Sequence, residues 1–185
     1  MFQKLLENIA SELSIQKIPY MIIGGQAVLL YGEPRLTKDI DITLGIGVEG
    51  LEKLKQIVEN LKLKILISNP EDFVGETMVL PTLHEKSGIR IDFIFSYSVY
   101  EHQAIQNAKM VKLGSKDVSF ASLEDLLIHK IIAGRPRDLE DVRSIILKNP
   151  DFNISYIEKW LAEFDSSLNE NYLELFKKIQ KTLNE

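Results

Sequence analysis

The 185-residue chain has no cysteine, one tryptophan, three histidines and no apolar run approaching a membrane span. Without thiols, a disulfide framework and a thiolate metal site are both excluded. His84, His102 and His129 lack metal-ligand spacing, and no Ser-His-Asp arrangement can be built from them. A bilayer crossing needs roughly 20 consecutive apolar residues, so no membrane role is expected. The N-terminal stretch is broken by Lys4, Glu7 and Glu12 and reads as an amphipathic helix, not a secretory leader. A cytoplasmic location is the expectation that follows. Positive charge is outnumbered. Lysine and arginine total 22 against 27 acids, a net charge of −5, which argues against a broad nucleic-acid-binding surface. The imbalance is steepest in residues 151–185, with seven acids and four lysines. Repeats, low-complexity segments and flexible linkers are missing as well. What is present in quantity is apolar side chain, at 45% enough for a substantial core.

Apolar spacing predicts a helix over 2–16, a buried strand over 19–23, a short helix over 26–31 and a second strand over 39–44. A loop over 45–50 leads to a helix over 51–61, whose apolar positions 51, 54, 57, 58 and 61 share one face. A strand over 64–67 is followed by a loop beginning at Asn69-Pro70. A hairpin pair over 78–84 and 89–95, a helix over 99–108 and a small hairpin over 109–113 and 117–120 complete the first part. From Ser122 onward the signals are helical. Ser122 caps 123–133, Gly134 ends it, Pro136 opens the next helix, and 154–164 and 169–183 supply two more. The expectation is an α+β fold, a mixed β-sheet flanked by helices with a C-terminal helical extension. Residues 1–121 form the α/β core and residues 122–185 a helical region packed on it.

Gly24-Gly25 lies between a strand and a helix, where backbone amides and the helix dipole favour phosphate. Paired glycines also serve tight turns, and this pair has neither the Gly-Lys-Ser/Thr ending of a Walker loop nor dinucleotide spacing. Asp39 and Asp41 alternate with Ile40 and Ile42, so both carboxylates share one strand face, where they can contribute to a magnesium site. Asp92 stands in the apolar run Ile91 to Phe95, where an unpaired charge is costly. It is either the partner of Arg90 or a lysine, or a metal ligand or general base beside the other two acids. Lys130 falls on the apolar stripe of its helix, where it either snorkels or reaches a phosphate. Arg35 and Thr37 either contact phosphate or order the turn before the acids. The run Arg135-Pro136-Arg137-Asp138-Leu139-Glu140-Asp141 fits helix capping and local ion pairs.

Together, Gly24-Gly25, Asp39-x-Asp41, Asp92 and the Lys130 to Asp141 segment resemble the nucleotidyltransferase superfamily of DNA polymerase β-like fold. The Gly-Gly-x-Ala-Val opening and the Lys-x-x-Ala-Gly-Arg-Pro-Arg-Asp-Leu-Glu-Asp segment look closest to AbiEii-type nucleotidyltransferase toxins and related prokaryotic proteins. The resemblance spans about residues 18–142. It implies a magnesium-dependent enzyme that moves a nucleoside monophosphate from a nucleoside triphosphate, such as ATP, to an acceptor. Asp39, Asp41 and Asp92 would be the catalytic and Mg2+-binding carboxylates. Gly24, Gly25, Arg35, Thr37 and Lys130 would serve the nucleotide. The acceptor could be tRNA, a partner toxin protein or a small molecule, in a toxin-antitoxin or defence setting, and a homodimer is conceivable. The rival reading is an inactive nucleotidyltransferase-fold antitoxin or binding module. This chain has Gly24-Gly25 where many superfamily members have Gly-Ser, and it is shorter than typical AbiEii-type toxins.

Overall fold

The computed structural model describes residues 2–34 and 36–184 and divides into two compact units, residues 2–26 with 36–121 and residues 27–34 with 122–184. The first unit is built on a seven-stranded mixed sheet. In chain order, α1 (Phe2–Ile15) precedes β1 (Tyr20–Ile23), and α2 (Gly24–Tyr31) leads through a loop to β2 (Asp39–Leu44). Then come α3 (Leu51–Asn60), β3 (Lys64–Ile65), α4 (Pro70–Thr77), β4 (Val79–His84) and β5 (Ile89–Phe95). Next are α5 (Val99–Gln106), β6 (Lys109–Leu113) and β7 (Lys116–Phe120). The strand order is β3-β4-β5-β2-β1-β7-β6. β2 lies parallel to β5 and antiparallel to β1, so the sheet is mixed. The α+β architecture expected from alternating strand and helix periods is the one observed.

Register explains how the sheet separates its core face from its chemical face. Ile40, Ile42 and Leu44 of β2 lie beside Ile91, Phe93 and Phe95 of β5, and all six are fully buried. Burying such side chains favours folding by roughly 1.5–3 kcal/mol each, which fixes the register because a one-residue slip would expose the whole set. α1 packs on β7 and against α3. Leu5, Leu6, Ile9, Ala10 and Leu13 form its buried stripe, at helical spacing.

Two local departures have clear causes. Residues 70–77, expected as loop, form α4, started by Pro70 at its first position and stopped by Met78 in the left-handed region at φ 61°. Proline suits that first position because the missing N–H needs no partner there, but only Val74 of this helix is buried. Its apolar periodicity is therefore too weak to register in sequence. α2 begins at Gly24, two residues before its expected start, so both glycines lie in its first turn.

The second unit is helical from Ser122. It contains residues 27–31 of α2 together with α6 (Leu123–Ala133), α7 (Pro136–Lys148), α8 (Ile154–Leu168) and α9 (Tyr172–Asn184). α6 is central, packing on α7, α8 and α9, with Leu126, Leu127, Ile128 and Ile131 fully buried. Ser122 accepts a hydrogen bond from the Asp125 amide, the predicted cap, and Gly134 closes the helix at φ 62°. Among the described residues no helix is long and apolar enough to cross a membrane.

Candidate active site

The polar face of the β1-β2-β5 trio carries the acids. Asp41 lies beside Asp92 in the parallel β2–β5 pair, and Asp39 lies beside Arg90. Neighbouring residues in such a pair project to the same side, so Asp39, Asp41, Arg90 and Asp92 share one face, opposite the isoleucine and phenylalanine core. Asp39 is exposed, and Asp41 and Asp92 are half-buried. Three carboxylates on adjacent strands repel one another, and a cation is already at hand. Arg90 Nε donates to Asp92 Oδ1 at 2.8 Å. That hydrogen bond, with the charges of Asp92, Asp39 and Asp41, holds the Arg90 guanidinium above its ordinary pKa.

Gly24 sets the position of the helix entry. Ile23, the last residue of β1, lies beside Asp41, and the next residue turns at φ +64° into the first turn of α2. A Cβ there would overlap Asp41 Oδ2 and come within 3.1 Å of its Cγ. The chain thus brings the amide-bearing end of α2 against the Asp41 carboxylate, an approach only glycine permits. Gly24→Ala is expected to lower stability by about 1–2 kcal/mol through the left-handed backbone alone and to displace Asp41 in addition. A denaturant midpoint equal to that of the unaltered protein would contradict this.

Thr37, just ahead of the acids, accepts a hydrogen bond from the Gln26 side-chain amide. Gln26 is buried, 5% exposed, and ties the 36–38 loop to the first turn of α2. Gln26 is not among the candidate residues that the sequence points to. The available signal was a polar residue opening an otherwise apolar helical run. Arg35 lies outside the described residues.

Lys130 belongs to the second unit. Its Nζ is 2.6 Å from Asp138 Oδ1 and 2.8 Å from Asp141 Oδ2, with the lysine side chain 5% exposed and the carboxylates 4% and 8%. Arg135 Nε reaches the other Asp138 oxygen at 2.6 Å from the exposed side. This cluster joins the end of α6 to the start of α7. Burial alone would push Asp138 up, but hydrogen bonds and charge from Lys130 and Arg135 bring it below its ordinary pKa. Its ionised form therefore adds stability that is full above the unfolded value of about 4 and is lost as pH falls through the lower folded value. Asp138→Asn is expected to flatten the stability-versus-pH curve below about pH 4, measured by urea unfolding at stepped pH. A curve as steep as that of the unaltered protein would count against this.

Among the described residues, no three histidine, cysteine or acid side chains stand arranged as a ready metal cage. The donor chemistry is nonetheless that of a hard cation, since Asp39, Asp41 and Asp92 offer only carboxylate oxygens. The adjoining glycine turn lets the Asp41 carboxylate lie directly against the start of α2, in space that a side chain at Gly24 would take.

A mixed sheet with paired acids on one strand, a third on its parallel neighbour and a glycine turn at a helix start defines the nucleotidyltransferase class. Residues 2–181 match the family described as nucleotidyltransferase of unknown function (DUF6036), and the chain belongs to that family. No curated protein matches it significantly. Among solved structures it is similar to the antibiotic-resistance factor ANT(2'')-Ia, with 19% identity and a TM-score of 0.63 over 90% of this chain and 92% of that one. It is also similar to the lincosamide antibiotic adenylyltransferase LnuA, solved with lincomycin bound, at 18% identity and TM-score 0.54 over 77% and 94% of the two chains. An antigenic nucleotidyltransferase-like protein from Paracoccidioides brasiliensis is similar at 18% identity and TM-score 0.56, over 96% and 91%. At these identities the likeness is one of fold.

Proposed function

We propose that the chain transfers a nucleoside monophosphate from a nucleoside triphosphate to a small-molecule acceptor, with magnesium bound at Asp39, Asp41 and Asp92. The observation that carries this reading is the side-by-side placement of Asp41 and Asp92 on the face that also bears Asp39, against the glycine start of α2. The small-molecule acceptor is favoured by the fold shared with two enzymes of antibiotic chemistry, one solved as a complex with adenylyl-2''-tobramycin and one with lincomycin. It is favoured also by the net charge of −5, which suits a polynucleotide poorly. A toxin-antitoxin or defence setting would employ the same transfer on a different acceptor.

Bound magnesium would offset the charge of the triphosphate and favour ionisation of the attacking hydroxyl. The amides of Gly24 and Gly25 would donate to phosphate oxygens at the positive end of α2. Thr37, oriented by Gln26, would add a hydroxyl donor. Asp92 would accept the acceptor's proton. The acceptor oxygen would then bond to the α-phosphorus as the bond to the bridging oxygen breaks and pyrophosphate leaves. Positioning and charge neutralisation would supply most of the rate. Incubation with each α-labelled nucleoside triphosphate, magnesium and fractionated small molecules, tRNA or protein tests the assignment. Label should enter the small-molecule fraction, and label confined to RNA or protein would overturn the proposed acceptor class.

A further inference from the structure

Resting on that reading of the acids, we propose that Arg90 is a positioning residue that holds Asp92 before the donor binds, and that it competes there with a divalent metal. Arg90 precedes Asp92 by two residues on β5, lies beside Asp39 of β2, and meets Asp92 Oδ1 at 2.8 Å. The two partners differ in freedom. The Arg90 side chain is 51% exposed and that of Asp92 is 19% exposed, so the long guanidinium arm can swing into solvent while the short carboxylate stays set in the sheet. A guanidinium keeps its charge at every working pH, and its Nε–H takes up one side of Asp92 Oδ1, so that it competes by charge and by that bond with a metal ion at the same carboxylate.

The consequence concerns order. While the site is without metal, Arg90 keeps the Asp92 carboxylate in place on β5, and metal arriving with the triphosphate moves the exposed guanidinium arm aside. Arg90 acts through Asp92 and its neighbours, and no bond to the reacting atoms is assigned to it.

The test is a titration of the nucleotide-free protein with Mn2+, followed by the electron paramagnetic resonance signal of the unbound ion. Arg90→Gln should bind Mn2+ about three- to tenfold more tightly than the unaltered protein, because a competing cation is gone. Arg90→Lys, which keeps the charge, should stay within about twofold of the unaltered protein. Arg90→Met, with its unbranched stem, serves in place of Arg90→Gln if that variant does not fold. A purely structural role would shift the melting temperature without separating the neutral from the charged replacement. Affinity in Arg90→Gln equal to or weaker than in the unaltered protein overturns the proposal. Failure of the metal reading itself shows separately, as Mn2+ binding that survives Asp41→Asn.

Discussion

Asp41→Asn is expected to lower nucleotidyl transfer by about a thousandfold or more while changing unfolding free energy by no more than about 1 kcal/mol. A metal-held carboxylate contributes several kcal/mol of transition-state stabilisation, and each 1.4 kcal/mol is tenfold in rate. Asp41 is the acid placed to matter most. It lies beside Asp92 on β5 and Ile23 on β1, and Gly24 brings the α2 amides to its carboxylate. Asparagine keeps the shape of that contact and removes the charge. Near-normal transfer by Asp41→Asn would sink the proposed mechanism, and a collapse of stability would mean that the carboxylate serves the fold first.

Lys130→Met is expected to destabilise the protein by about 3–5 kcal/mol, the usual range when one partner of a buried ion cluster is removed. The lysine faces Asp138 and Asp141 together, at 2.6 and 2.8 Å, with all three side chains under a tenth exposed. Methionine fills the space and leaves two carboxylates with less compensation, since Arg135 reaches Asp138 from a side chain that is 76% exposed. The urea midpoint should fall while the denaturant slope stays constant. A lysine reserved for the triphosphate would behave in the opposite way, with weaker donor binding and an unmoved midpoint. The bonds to Asp138 and Asp141 favour the structural outcome, and the urea curve decides it.

The two outcomes also mark where sequence was informative. β2 and β5 were legible to the residue because isoleucine and phenylalanine alternate with acids, and that alternation both buries one face and displays the other. The pairing of Asp41 with Asp92 was not legible, because parallel register depends on a crossover connection whose length says nothing about alignment. α4 was hidden by having one buried residue, and the early start of α2 by glycines that sequence statistics assign to turns. Lys130 was singled out for lying on an apolar stripe, but its partners sit eight and eleven residues later, across the α6–α7 junction. Gln26 reads in sequence as an ordinary helical glutamine, because its partner Thr37 lies eleven residues away on a loop.

The most direct measurement of the central claim uses one nucleoside triphosphate labelled in turn on its α- and γ-phosphate, with magnesium and a small-molecule fraction. The account predicts that α-label appears in a new small-molecule product, that γ-label appears in pyrophosphate, and that both signals vanish in Asp41→Asn. Release of free nucleoside monophosphate with no labelled acceptor, or α-label transfer that persists in Asp41→Asn, would contradict it.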